Sequence, residues 1–95
     1  MDDDERRERM TELAETFPCS SEARGVRPFD PGELNRWAAG PASHGERVTV
    51  AFILAVWDAA TEWEAGRFDL MEALNVWPES HRGPFLDWAK DPWWP

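Results

Sequence analysis

Two histidines, one cysteine and nineteen carboxylates are the side chains of this 95-residue sequence on which metal, nucleophilic or acid–base chemistry would rest. His44 and His81 fall on different segments. Neither has a second His, Cys or acid at the spacing of a recognisable zinc or di-iron site, so both read as solvated polar residues. Cys19 follows a proline in a loop, with Arg24 and Arg27 close in sequence. A reactive thiol needs an electropositive pocket; Cys19 reads as inert, and a single cysteine makes no internal disulfide. Glu62 and Glu64, two residues apart, point to different sides of a helix. With Asp58 they read as a solvated face rather than an acid/base pair. No phosphate-cradling glycine loop, nucleophile elbow or kinase signature is present. The expectation is no catalytic residue, no metal ligand and no cofactor, and an enzyme is the weakest function class.

What remains is charge and tryptophan. Nineteen acids against ten bases give a formal charge of −9. The excess sits in two blocks: residues 1–16 carry net −4, and residues 58–79, with six acids against Arg67, carry net −5. Such a chain does not grip nucleic-acid phosphates through bulk charge. It suits a protein partner with a basic surface, and Asp58, Glu62, Asp69, Glu72 and Glu79 are the candidate contacts. The same acids in rows on a rigid face would instead imitate nucleic acid, as small acidic inhibitors of restriction or CRISPR-type nucleases do as a class. They also keep a tryptophan-rich domain in solution.

Seven tryptophans and no tyrosine are unusual for this length. Trp37, Trp57 and Trp77 fall in phase with apolar helix faces and read as core. Trp63, flanked by Glu62 and Glu64, has the chemistry of half an aromatic cage for a cation. Trp93 and Trp94 lie in an extended tail over 91–95 and are candidate anchors, since interface hot spots favour Trp. Pro92 and Pro95 bracket the pair and lower the cost of ordering it. One of the two rings is therefore expected to dock on the domain.

These side chains need elements to position them. A first helix over about 3–16 carries a narrow stripe of Met10, Leu13, Ala14 and Phe17 and ends at Pro18, with first turns prone to fray. Residues 18–29 have turn chemistry and read as a loop. A second helix over 31–39 has Asp30 as cap, Pro31 at its first position and Gly40-Pro41 as its stop. A third, about 44–60, starts from the Ser43/Glu46 pair and is apolar all round, so it must be central. Its end falls near Asp58 or at Ala65, with Gly66 as the stop; continuation to Ala65 would put Asp58, Thr61, Glu62 and Ala65 on one face. A fourth, after Phe68, has Asp69 as cap and Glu72 completing a capping box. Its inward face is Leu70, Met71, Leu74 and Trp77, with Asp69, Glu72 and Glu79 opposite. A fifth runs about 83–90, with Pro84 in its first turn.

The sequence thus predicts one all-α domain of four or five short helices around a central apolar helix. The favoured function is a non-enzymatic protein-interaction module, bacterial or phage-encoded. The second is an acidic mimic inhibiting a defence or DNA-processing enzyme, and the third a small-cation binder or enzyme using Trp63 and its acids. From the acidic, apolar-poor opening of the sequence and the single cysteine, the expectation is a cytoplasmic protein without a membrane partner.

Overall fold

Local caps start the first three helices. Asp2 Oδ1 accepts the Glu5 N–H at 2.8 Å, and Asp30 Oδ1 accepts the Glu33 N–H at 3.1 Å. Ser43 and Glu46 close a reciprocal capping box. In the computed structural model, which describes residues 2–95, these caps open α1 (Asp3–Glu15), α2 (Pro31–Ala39) and α3 (His44–Asp58). Two more helices follow, α4 (Leu70–Val76) and α5 (Glu79–Lys90). No strand occurs among the described residues, and the fold is all-α.

The central position expected of the third helix holds. From Val48 to Val56, α3 is buried at every residue but Ala55, and it packs on α1, α2 and α4. Phe52 is its aromatic hub. Its ring centroid lies 5.9 Å from Phe17, 5.3 Å from Phe68, 5.2 Å from Phe85 and 5.1 Å from Trp88. Edge-on and tilted pairs at these separations are favourable. The stripe Met10, Leu13 and Ala14 of α1, with Phe17 just past its end, is buried against this core. The three buried polar side chains are all satisfied, as burial demands. Thr11 Oγ1 donates to the Val26 carbonyl at 2.6 Å, and Asn35 Oδ1 accepts the Ala65 N–H at 3.0 Å. Thr49 Oγ1 donates to the Gly45 carbonyl and accepts the Trp77 Nε1–H, both at 2.9 Å.

Four expectations are corrected, and one open boundary is decided. The loop after α1 contains a 3-10 turn, Pro18–Ser21. Of the two ends open to the third helix, the structure takes the one at Asp58, because the Asp58 carboxylate captures the Ala60 N–H and the Thr61 hydroxyl and turns the chain away. Asp58, Thr61, Glu62 and Ala65 therefore do not share a helical face. In α4 the inward residues are Ala73 and Trp77, while Leu70, Met71 and Leu74 face out. Asp69 caps α4 alone, accepting from the Met71 and Glu72 N–H groups, and the Glu72 carboxylate turns instead to α3. Finally, α5 begins at Glu79, so Glu79 lies in its first turn and Pro84 lies inside it. Pro84 cannot donate to the Ser80 carbonyl. The helix continues because Gly83 has no Cβ to crowd the proline ring.

Candidate interaction surface

The segment between α3 and α4, residues 59–69, forms an arch pinned at several points. Asp58 holds its start, and the Trp63 indole Nε1 donates to the Asp58 carbonyl at 3.0 Å. The Gly66 N–H closes a turn onto the Trp63 carbonyl at 2.9 Å, with Gly66 at φ +92°. That left-handed backbone suits glycine. The middle of the arch is clamped at Ala65, whose N–H goes to Asn35 and whose carbonyl accepts from Arg47 at 2.9 Å. Asp58 is held ionised by the Thr61 hydroxyl and the Ala60 N–H, which push its carboxyl below the ordinary aspartate value. Between the arch and α3 lies a cleft of about 470 Å³. Ala51, Ala55 and Ala59 form its floor; Glu62, Trp63, Arg67 and Phe68 form its sides. Neither Glu62 nor Arg67 is ion-paired among the described residues.

The arch runs directly into α4. Here Met71 is 75% exposed, Leu70 43% and Leu74 42%. Positions 70, 71 and 74 stand at i, i+1 and i+4, so they are neighbours on one side of a single helix.

The predicted acidic contacts do not form one row. Asp58 and Asp69 are spent on local backbone. Glu72 Oε2 lies 3.1 Å from His44 Nε2 and 3.6 Å from the Arg47 guanidinium, tying α4 to α3. Glu79 is exposed in the first turn of α5. Of the eight predicted residues, the structure brings Glu62 and Trp63 to the cleft and keeps Trp93 and Trp94 together on the tail. Sequence reasoning missed the outward row of α4 and the cleft residues Ala55, Ala59 and Arg67. A signal for the first was present: Ala73 and Trp77 are an i, i+4 pair that a seven-residue helix can bury only by turning Met71 outward.

In the tail, Trp93 is half-buried with the Arg9 guanidinium 4.0 Å above its ring, and its carbonyl accepts the Trp88 Nε1–H at 3.1 Å. Trp94 is 62% exposed and meets Trp88 edge-on at 5.5 Å. Trp57 is also gripped by α1, with Arg6 and Arg7 at 5.0 and 5.4 Å from its ring. Partial burial of one indole and one cation–π contact together contribute about 1–3 kcal/mol. Deleting residues 92–95 is therefore expected to lower the melting temperature by roughly 5–15 °C. A thermal melt of the truncated chain coinciding with the full-length one would show the tail to be dispensable for the fold.

A second cavity, of about 560 Å³, brings together Cys19, Glu22, Glu46, Trp77 and His81. Burial pushes the Cys19 thiol up to about 11, and the Glu46 charge adds to the shift. His81 packs on Phe17 at 6.1 Å, and its Nε2 is buried without a hydrogen-bond partner. Desolvation lowers its pKa. The expectation of a solvated His81 is thus corrected: α5 starts early enough to carry it onto the core. A protonated thiol beside a neutral imidazole is not an activated nucleophile. Among the described residues no group of three or more His, Cys, Asp or Glu could hold a metal ion, and no helix is long and apolar enough to cross a membrane.

No protein-family model, curated protein or solved structure matches the chain.

Proposed function

We propose that the protein is a non-enzymatic interaction module that binds a protein partner through the outward face of α4. The observation that carries this reading is the row Leu70, Met71 and Leu74, left in solvent by a helix that buries only Ala73 and Trp77 well. Large apolar side chains clustered outside a small domain mark an interaction site. The partner's chemistry follows from charge. The stretch 58–79 is net −5 and the chain −9, so a second copy of the chain is repelled. A partner with an apolar ridge bordered by Lys and Arg is attracted and steered. Nucleic-acid mimicry fits less well, because Asp58, Asp69 and Glu72 are each engaged within the fold rather than held free in rows.

The test is a quantitative pull-down from the native host with full-length protein and two variants. Met71→Glu with Leu74→Glu is expected to fold normally, because both side chains are solvent-exposed, where substitutions change stability by about 0.5 kcal/mol or less. It should lose the specific partner. Ala39→Glu, on the exposed end of α2, should keep it. Retained binding by the α4 double variant overturns the assignment. Binding of the wild type should also weaken as salt is raised, since steering between exposed charges is screened.

A further inference from the structure

Resting on the reading of the chain as a partner-binding module, we infer that the cleft under the arch receives a guanidinium group carried on an apolar stem. Three features of the cleft converge on this chemistry.

The first is shape. A half-open cleft of about 470 Å³ with an alanine floor lies within the size range of ligand pockets. Unfilled space beside a core forgoes packing. Here the arch has no freedom to collapse onto α3, because Asp58, Asn35 and Arg47 hold it at both its start and its middle. The space is built into the fold rather than left by a mobile loop.

The second is the aromatic wall. Trp63 is fixed by its bond to the Asp58 carbonyl, so its ring is pre-oriented. A planar guanidinium stacks on such a face better than a compact ammonium does. The methylene stem of an arginine would lie along Ala55, Ala59 and Phe68, as such stems do on apolar surface.

The third is charge. Glu62 is exposed, lines the cleft and is not ion-paired among the described residues. A carboxylate beside a stacked guanidinium supplies the paired acceptor oxygens that this fork recognises. Arg67 is the other charged group on the lining, and its charge opposes a cation. Arg47, held on the Ala65 carbonyl beside Gly66 of the lining, adds a second positive charge; Asp58, Glu62, Glu64 and Asp69 on the same stretch outnumber the two arginines, so the balance of charge still favours a cation. The guanidinium can come from an arginine of the partner protein or from a free small molecule.

The experiment titrates N-acetyl-arginine methylamide into the full chain and follows the Trp63 indole N–H resonance by NMR. Agmatine, the capped citrulline analogue and a capped aspartate are run in parallel. Capped arginine is expected to shift and saturate the Trp63 signal, while capped citrulline, its neutral near-isostere, binds at least tenfold more weakly. Glu62→Gln should weaken binding about fivefold or more, and Arg67→Ala should strengthen it. Ala55→Leu should abolish it by filling the floor; Ala59→Leu, at an exposed lining position, serves if the first variant melts early. Stronger binding of agmatine than of capped arginine assigns the cleft to a free small molecule; the reverse assigns it to a partner's side chain. Equal binding of citrulline, unaltered binding in both filled variants, or capture of aspartate through Arg67 overturns the inference. The α4 variant Met71→Glu/Leu74→Glu should bind capped arginine as the wild type does. A failure of the cleft is thereby separable from a failure of the α4 surface.

Discussion

Trp77→Ala is expected to lower the melting temperature of the domain by about 12 °C or more. Trp77 is only 4% exposed although it closes a seven-residue helix. Its ring lies 6.0 Å from Phe17, 5.8 Å from Phe68 and 5.7 Å from Phe85, and its Nε1–H is bonded to the Thr49 hydroxyl inside the core. Removing a buried tryptophan side chain costs about 3–5 kcal/mol in lost transfer energy and cavity, and it removes Thr49's donor as well. A domain of this length has about 5–14 kcal/mol to lose. At roughly 4–8 °C per kcal/mol, the melting temperature should fall by about 12 °C at the least and by 30 °C or more at the top of the range. Trp77→Phe keeps most of the ring packing and loses the hydrogen bond, so it should be clearly milder. Urea denaturation of both variants separates the two contributions. A Trp77→Ala melt within a few degrees of wild type would mean that the aromatic cluster does not hold the domain together.

Gly25→Ala is the second large effect, and its origin is backbone rather than core. Gly25 stands at φ +86° in the turn before α2. A Cβ there would come within 2.6 Å of both the Asp30 carbonyl oxygen and the Leu34 nitrogen. Neither atom is at the end of a flexible side chain. Both belong to the start of α2, where the Leu34 N–H bonds the Asp30 carbonyl at 3.0 Å and the Asp30 N–H bonds the Gly25 carbonyl at 2.8 Å. The left-handed conformation alone costs a non-glycine residue about 1–2 kcal/mol, and forcing the extra atom in adds about 1–3 kcal/mol. The sum is roughly 2–5 kcal/mol, read as a lower urea midpoint with the slope unchanged. Gly32→Ala is the control. It lies in α2 and its Cβ would meet only ordinary contacts at 3.5 Å. Alanine's better helix propensity should make that variant neutral or up to about 1 kcal/mol more stable. If both alanines behave alike, the tight approach at Gly25 does not exist in solution.

What could be read from the sequence was what is encoded within four residues. Asp30, Ser43 with Glu46, and Asp69 each bond an N–H two or three positions ahead, so the starts of α2, α3 and α4 were visible without any tertiary knowledge. The register of α4 was not. Over seven residues a stripe of Leu70, Met71 and Leu74 and a stripe of Ala73 and Trp77 are equally periodic, and hydrophobicity favours the first. Packing chose the second because Trp77 reaches the Phe17–Phe85 cluster and the Thr49 hydroxyl, Thr49 lying 28 residues away in sequence and Phe17 farther. The start of α5 was hidden by Pro84, which reads as a beginning unless Gly83 is weighed with it. The cleft was hidden for a different reason. Trp63 and Glu62 were singled out, but the floor comes from α3 and the clamps from Asn35 and Arg47, and nothing local announces that an arch will be held away from a helix.

The aromatic hub has a kinetic side. Phe52 draws partners from the end of α1, from the arch and from α5, so no helix pair owns a core of its own. Local opening of α1 or α5 strips the hub, and the middle of α3 is freed only when the whole domain comes apart, so its amide protons should be the slowest to exchange with solvent. α4 is pinned to that slow centre through Ala73, Trp77 and the Glu72 pair, so its backbone opens with the cluster rather than ahead of it. The latitude lies in the outward side chains of Leu70, Met71 and Leu74, so the face proposed for docking offers adjustable side chains on a helix that stays in place.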